Sequence, residues 1–156
     1  MHFDTVALFG RYQDTGLQAP LRALARVLED AGCTVIVETE TAANTGLTDF
    51  DVATIEEIGR RAKLAIVIGG DGTVLGTARH LAPFDVPLLG INHGRLGFIT
   101  DIALEQARQA ITDILAGRYS SEPRMLLEGS VWRGNQKMYG ALALNDVVLN
   151  RAGRGG

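Results

Sequence analysis

The sequence has a single cysteine, Cys33, among its 156 residues, so no disulfide can form within the chain. Cysteine usage of this kind is typical of proteins in reducing compartments. A basic excess is missing as well, because 15 Lys and Arg residues against 18 Asp and Glu residues give a net charge of −3. The charge balance therefore argues against nucleic acid as a partner.

Long hydrophobic runs are also absent, and no apolar stretch approaches the roughly 18–20 residues of a membrane-spanning helix. The N-terminal stretch MHFDTVALFGR lacks the positive start and apolar segment of a signal peptide. His2, His80 and His93 are not spaced as metal ligands, and His80 is expected on a helix surface. We therefore expect a cytoplasmic protein with no membrane partner, and no cluster of residues suggests a zinc site.

What the chain does have is a regular alternation of apolar strands and amphipathic helices. An alternation of this kind predicts an α/β fold, a Rossmann-like parallel sheet with helices on both faces. The segment 39–50 has turn composition, and Asp51 is predicted to cap a helix over 51–62. The remaining strands are predicted at 5–10, 33–38, 64–70 and 86–92, and the remaining helices at 17–32, 73–82 and 103–117.

The alternation changes near residue 118. Beyond that point three strands are predicted without intervening helices, at 125–133, 137–145 and 146–151. Gly134 and Asn135 are typical residues of a hairpin turn between the first two strands. We therefore expect an α/β nucleotide-binding domain over 1–118 and the beginning of a β-rich domain over 119–156.

The motif GGDGT (69–73) follows the strand at 64–70, at the edge of the sheet where α/β proteins bind ligands. Glycines let a phosphate or sugar approach the backbone, and a helix start favours anions. Asp71 repels bare phosphate, so a role for it is to hold a divalent cation or to take a proton from an attacking hydroxyl. Both roles belong to phosphoryl transfer. The alternative is a tight turn in which Asp71 caps the following helix.

Two other known motifs place glycines in a similar way. Gly70, Gly72 and Gly76 loosely resemble a dinucleotide-binding fingerprint, which would favour a nucleotide-binding oxidoreductase. The acidic residue expected at the end of the next strand is missing, because that strand ends at Asn92. A P-loop is excluded, since no G-x-x-x-x-G-K-[ST] motif occurs.

Two further segments contain candidate binding residues. In GINHGRLGFIT (90–100), Phe98 could stack on a base, although burial in the core is the more common role of a phenylalanine. In ALNDVVLN, Asn145 could read an adenine edge and Asp146 could accept ribose hydroxyls. The alternative for this pair is an ordinary turn between two strands.

Taken together, GGDGT, GINHGRLGFIT, SEPRMLLE (121–128) and LNDVVL (144–149) resemble the NAD kinase family. GGDGT alone is weakly specific, because lipid kinases and phosphofructokinases carry similar motifs. The pattern N-x-G-x-L-G-F followed by an Asn-acid pair is much more specific. The resemblance runs in order from about residue 5 to the end of the sequence.

The resemblance implies a phosphofructokinase-like fold and phosphoryl transfer from ATP or polyphosphate to the 2′-hydroxyl of the adenosine ribose of NAD. Asp71 would be the proton acceptor, and Gly72 would let the dinucleotide lie against the backbone. Phe98 would wall the adenine pocket, Asn145 would contact the adenine, and Asp146 would contact a ribose. A divalent metal ion, Mg²⁺, would accompany ATP, and the protein would be a homodimer or homotetramer.

The resemblance also implies that the sequence corresponds to the N-terminal half of such an enzyme. The family has a second Gly/Thr/Ser-rich loop in its β-rich domain, and this sequence has no such loop. We therefore expect the 156-residue chain by itself to be inactive as an NAD kinase. The non-enzyme alternative is a nucleotide-sensing domain that keeps the pocket without turnover.

Overall fold

The computed structural model describes residues 3–11, 13–100, 102–144 and 146–148. The chain divides into two compact units, Met1–Ser121 and Glu122–Gly156. The strands of the first unit are β1 (Thr5–Gly10), β2 (Thr34–Glu38), β3 (Asp51–Ala53), β4 (Leu64–Gly69), β5 (Leu88–Asn92) and β6 (Ile102–Ala103). Its α-helices are α1 (Gln18–Asp30), α2 (Thr39–Thr45), α3 (Ile55–Arg61), α4 (Asp71–Leu81) and α5 (Ala107–Leu115).

The first unit is a six-stranded sheet in the order β3-β2-β1-β4-β5-β6, and every strand pair is parallel. This confirms the predicted α/β class. The chain builds outward on one side as far as β3 and then returns to add β4 on the other side of β1. The strand order therefore reverses between β1 and β4, and ligands of open α/β sheets bind at the carboxyl ends of strands at such a point.

Side chains of the central strands alternate between two buried clusters, one on each face of the sheet. In β4, Ile66 and Ile68 belong to one cluster, which also contains residues of α1 and α5. Ala65 and Val67 belong to the other, which contains residues of α3 and α4. Since β4 is buried along its whole length, it has the continuous apolar sequence of a central parallel strand. The prediction of helices on both faces is therefore confirmed.

The prediction of a turn over 39–50 is wrong for the first half of the segment, which forms helix α2. Glu38, the last residue of β2, caps this helix, and its carboxylate accepts hydrogen bonds from the backbone N–H groups of Glu40 at 2.9 Å and Thr41 at 2.8 Å. Gly46 ends the helix with a φ of +68°. Capping at both ends offsets the weak helix propensity of a seven-residue segment that contains three threonines.

The predicted helix over 51–62 begins later than expected, and Asp51 does not cap it. Asp51 instead starts β3, which pairs with β2 at the edge of the sheet. Thr54 is the cap: its hydroxyl accepts from the N–H of Glu57, whose carboxylate accepts from the N–H of Thr54. This reciprocal pair is a capping box, and it leaves the three preceding residues free to form a strand.

Two other helix boundaries differ from the prediction. Helix α4 begins at Asp71, two residues before the predicted start, so the acidic residue of GGDGT is the first residue of the helix. Helix α5 begins at Ala107, because the short strand β6 and a 3₁₀ turn occupy the residues before it. None of the helices in the described ranges is both long and apolar enough to cross a membrane.

The second unit contains one antiparallel hairpin, β7 (Leu127–Arg133) and β8 (Gln136–Ala143), within its described residues. The predicted turn is confirmed, and Gly134 adopts a φ of +58° there. The third strand predicted at 146–151 is wrong for residues 146–148, which form no strand, and its remainder lies outside the described residues. Large apolar side chains on this unit are exposed, namely Met125, Leu127, Val131, Trp132, Met138, Tyr139, Val147 and Val148.

Candidate functional site

The candidate site lies at the carboxyl ends of β1, β4 and β5, where the strand order reverses. Gly10 ends β1, Gly69 ends β4, and Asn92 ends β5. Because β1, β4 and β5 are adjacent, the loops that follow them meet at one edge of the sheet. GGDGT and GINHGRLGFIT are therefore brought together.

Asp71 is held by the loop that follows β5. Its Oδ1 accepts hydrogen bonds from the N–H of Ile99 and the N–H of Thr100, both at 3.1 Å, and from the hydroxyl of Thr100 at 3.0 Å. Its Oδ2 accepts a hydrogen bond from the N–H of Phe98 at 2.9 Å. Helix α4 has Gly70 as its N-cap and no capping side chain, so Asp71 does not cap it. The carboxylate instead fills a cradle of three successive backbone N–H groups, an arrangement that binds anions.

The surroundings of Asp71 favour its ionised form. Desolvation raises its pKa, but the hydrogen bonds from Phe98, Ile99 and Thr100 together lower the pKa by more than desolvation raises it. The pKa of Asp71 therefore lies below its usual range. The carboxylate also stands in the first turn of α4, where the helix dipole stabilises negative charge.

The loop can reach Asp71 only because residue 97 is glycine. The N–H of Gly97 donates to the carbonyl of Thr100 at 3.1 Å, which closes the turn around the carboxylate. A Cβ built on Gly97 would stand 2.6 Å from Asp71 Cγ and 2.7 Å from Oδ2. Any larger residue would have to displace either the loop or the carboxylate.

The sequence analysis missed Asn92 and Thr100 as site residues. Thr100 is fully buried, and its hydroxyl oxygen accepts a hydrogen bond from Asn92 Nδ2 at 2.7 Å. Asn92 is 4% exposed, and its Oδ1 has no hydrogen-bond partner in the described part of the chain. Asn92 begins the N-x-G-x-L-G-F motif, so the motif marked its position but not its contact.

Two clefts open beside the N-terminal half of α4, with volumes of about 540 Å³ and about 290 Å³. Arg11, Gly72 and Thr73 line both clefts, while Asp71 is among the lining residues of neither. The smaller cleft is also lined by Gly70, Asn92, His93 and Arg95. The start of α4 thus lines the smaller cleft together with two arginines, Arg11 and Arg95.

Gly72 and Gly76 contribute open space to this face of α4. A Cβ at either position would meet no atom within 4 Å. Glycine inside a helix costs about 1 kcal/mol relative to alanine. Packing within the described chain does not require these glycines, and each leaves the helix backbone accessible from the larger cleft.

The interpretation of Phe98 as a core residue is wrong. The side chain is fully exposed, at 101% of its reference area, although its backbone N–H donates to Asp71. A ring in this position is free to stack on a ligand. His80 is exposed on α4, as predicted, with Nδ1 at 2.8 Å from the carbonyl oxygen of Gly76.

The two remaining predicted site residues belong to the second unit. Asn145 lies outside the described residues. Asp146 is exposed. In the described ranges no three His, Cys, Asp or Glu side chains are grouped so that they could hold a metal ion.

Comparisons with known proteins agree on one family. The family described as "ATP-NAD kinase N-terminal domain" matches residues 6–119. The NAD kinase of Bordetella avium is 66% identical over 156 residues, which is all of this chain and 52% of that protein. The NAD kinase of Cupriavidus pinatubonensis is 54% identical over 154 residues, 99% of this chain and 50% of that protein. The chain thus spans about half the length of these relatives.

The fold has a counterpart among solved structures. The crystal structure of yeast NADH kinase complexed with NADH superposes with a TM-score of 0.80 at 17% sequence identity. The superposition covers 93% of this chain and 48% of the yeast chain. The fold, the motifs at the reversal point and the family match over residues 6–119 lead to one conclusion: this chain belongs to the NAD kinase family.

Proposed function

We propose that the protein transfers a phosphoryl group from ATP, or polyphosphate, to the 2′-hydroxyl of the adenosine ribose of NAD, giving NADP. The observation that carries this proposal is the Asp71 carboxylate, ionised and fixed at the reversal point of the sheet beside a glycine-lined cleft. The names of the relatives, NAD kinase, support the same substrate. The relatives that have this name are longer proteins, of which this chain spans about half.

Asp71 acts as the proton acceptor. The O2′ of the ribose forms a bond to the transferred phosphorus while the bond from phosphorus to the leaving oxygen breaks, and the hydroxyl proton passes to Asp71. A carboxylate has about four lone-pair positions. Oδ1 already accepts three hydrogen bonds and Oδ2 only one, so Oδ2 retains the capacity to accept the proton.

The donor phosphates bind in the smaller cleft. Arg11 and Arg95 supply positive charge there, and the first turn of α4 supplies backbone N–H groups. Mg²⁺ bound to ATP would neutralise phosphate charge, and such ions are held largely by phosphate oxygens and water. Gly72 lets the ligand lie against the helix backbone.

The NAD acceptor approaches from the loop side of Asp71. The exposed ring of Phe98 walls the adenine pocket, and the N–H of the same residue donates to Asp71. Asn145 contacts the adenine and Asp146 a ribose. Both belong to the β-rich domain that begins in the region 119–156.

The enzyme works in the cytoplasm as a homo-oligomer, a dimer or a tetramer. The single Cys33 suits a reducing compartment. Exposed apolar side chains on the hairpin of β7 and β8, such as Trp132 and Tyr139, suit a surface that another part of the protein or a second copy covers.

A chimera tests the activity. The 156 residues of this chain replace the matching 156 residues of the Bordetella avium NAD kinase, and the intact relative is the control. Incubation with NAD, ATP and Mg²⁺ should yield NADP. A nucleotide-binding oxidoreductase would instead change nicotinamide absorbance with a co-substrate, and a sensing domain would bind nucleotide without turnover. Either of those results, with an active control, would refute the proposal.

A further inference from the structure

The hydrogen bonds between Asn92, Thr100 and Asp71 have a defined direction. An ionised carboxylate can only accept, so the hydroxyl hydrogen of Thr100 points at Asp71 Oδ1, 3.0 Å away. The hydroxyl oxygen then accepts from Asn92 Nδ2 at 2.7 Å. With this orientation the buried Oδ1 of Asn92 has no partner among the described residues, a state that costs free energy. The contact with Thr100 therefore determines the orientation of the Asn92 amide, with Nδ2 facing the hydroxyl of Thr100.

The two carboxylate oxygens of Asp71 accept different numbers of hydrogen bonds. Thr100 gives Oδ1 both its backbone N–H and its hydroxyl, and Ile99 adds a third donor. Oδ2 receives only the N–H of Phe98. Thr100 is fully buried and Asn92 nearly so, so the hydroxyl donor to Oδ1 lies away from the protein surface.

We propose that Thr100, oriented by Asn92, is a positioning residue that fixes the Asp71 carboxylate through Oδ1 and leaves Oδ2 as the oxygen that accepts the substrate proton. The proposal rests on the proposed function of Asp71 and deepens it. Asn92 ends β5 and Thr100 closes the loop after it, so the central sheet itself fixes the direction of the carboxylate. Thr100 touches neither donor nor acceptor in this arrangement and acts through Asp71.

The test replaces the hydroxyl and follows Asp71 directly. In the 156-residue chain, NMR records the titration of the Asp71 side-chain carbonyl carbon for the wild type, Thr100→Val and Thr100→Ser. Valine keeps the shape and the backbone N–H of threonine but removes the hydroxyl donor. Loss of a donor to the ionised form disfavours that form, so Thr100→Val should raise the pKa of Asp71 by about one unit. Thr100→Ser should restore the wild-type titration.

Kinetics of the chimera give a second readout. Thr100→Val should lower kcat about ten-fold, leave the KM for NAD within about two-fold, and move the acid limb of the pH profile upward by about one unit. Serine at the same position should recover most of kcat. Arg11, His93 and Arg95, the charged or titratable groups of the adjacent cleft, are unchanged in these variants.

An Asp71 titration that is the same in folded Thr100→Val as in the wild type would overturn the inference. If Thr100→Val fails to fold, Asn92→Ala replaces it, because it keeps both groups of Thr100 and removes only the orienting amide. A smaller upward shift is then expected, and no shift would again overturn the inference. The titration is read without turnover. A chimera that makes no NADP therefore refutes the proposed function, whereas an unshifted titration refutes the positioning role.

Discussion

The Cα of Gly97 lies against the Asp71 carboxylate with no room for a side chain between them. A methyl group on Gly97 would stand 2.6 Å from Asp71 Cγ, far inside van der Waals contact. The glycine of the N-x-G-x-L-G-F motif and the acid of GGDGT are therefore two halves of one structural unit. Residue 97 has no side chain because the Asp71 carboxylate occupies that space, and Asp71 keeps its position because the loop at Gly97 closes around it.

Gly97→Ala should accordingly disturb Asp71 more than it disturbs the fold. Overpacking of this kind costs about 1–3 kcal/mol in the free energy of unfolding. The hydrogen bonds from Phe98, Ile99 and Thr100 should weaken, so amide exchange at these residues should accelerate. The matched control is Gly70→Ala, where a Cβ meets nothing within 4 Å. Equal amide protection of the loop in Gly97→Ala and in the wild type would contradict the prediction.

Asp71→Asn should lower turnover of the chimera by roughly 10²–10⁴-fold, the usual contribution of a general base. The sheet should stay folded, because Asp71 stands outside both buried clusters. The loop should loosen, since an amide NH₂ cannot accept from the backbone N–H groups that face it. Asp85→Asn is the control: it makes the same change of charge at an exposed residue after α4. Near-normal turnover in Asp71→Asn would remove Asp71 from the mechanism.

Much of this fold was predictable from the sequence, because continuous apolar runs such as β1 and β4 announce buried parallel strands. Helix α2 was not, since its start depends on the side chain of Glu38, which is not among the preferred capping residues. The start of α3 was readable in retrospect, as Thr54 and Glu57 form the T-x-x-E pattern of a capping box.

For the site, the motifs identified Asp71 and the neighbouring glycines but not the partners of the carboxylate. Three of its four donors are backbone N–H groups, which leave no trace in a sequence. Thr100 stands 29 positions from Asp71, and only the pairing of β4 with β5 brings the two together. The exposure of Phe98 follows in turn from the direction of that loop.

Phe98→Ala should separate ligand binding from stability. The ring is fully exposed, so its removal should change the free energy of unfolding by less than about 0.5 kcal/mol. Loss of a stacking surface should weaken NAD binding to the chimera by about 1–3 kcal/mol, measured by calorimetry. Phe98→Tyr keeps the aromatic face and should bind NAD as the wild type does. Unchanged affinity in Phe98→Ala would exclude the ring from the adenine pocket.

The first unit should lose stability when the pH falls below the usual pKa range of aspartate. The pKa of Asp71 is lowered in the fold, where hydrogen bonds outweigh the opposing desolvation, and Arg118 lowers that of Asp113. A group with a lowered folded-state pKa stabilises the protein above its unfolded pKa, and this contribution is lost as the pH falls through the folded value. Denaturant unfolding at pH values from 6 down to 2 should show little change at the upper end and a loss of stability once the pH falls below the usual aspartate range. Asp113→Asn should reduce the pH dependence of the free energy of unfolding. The same pH dependence in this variant and in the wild type would contradict the prediction.

The last prediction is that the 156-residue chain by itself makes no NADP, whereas the chimera does. An isolated two-stranded hairpin is at best marginally stable, and β7 and β8 expose Val131, Trp132 and Tyr139. Asp146, assigned to ribose binding, belongs to the same unit and is exposed. Phosphoryl transfer depends on fixed positions of donor and acceptor, which a loosely held acceptor site cannot provide.

The measurement compares NADP formation and NAD binding for the chain and the chimera at equal concentrations, with ATP and Mg²⁺ in excess. The chain should bind NAD weakly or not at all, because the contacts proposed for the first unit, such as the ring of Phe98, are too few to hold the ligand. Amide exchange should also be faster throughout β7 and β8 in the chain than in the chimera, which links the missing activity to the unsupported hairpin. NADP production by the chain at a rate like that of the chimera would show that the first unit suffices for catalysis and would overturn this prediction.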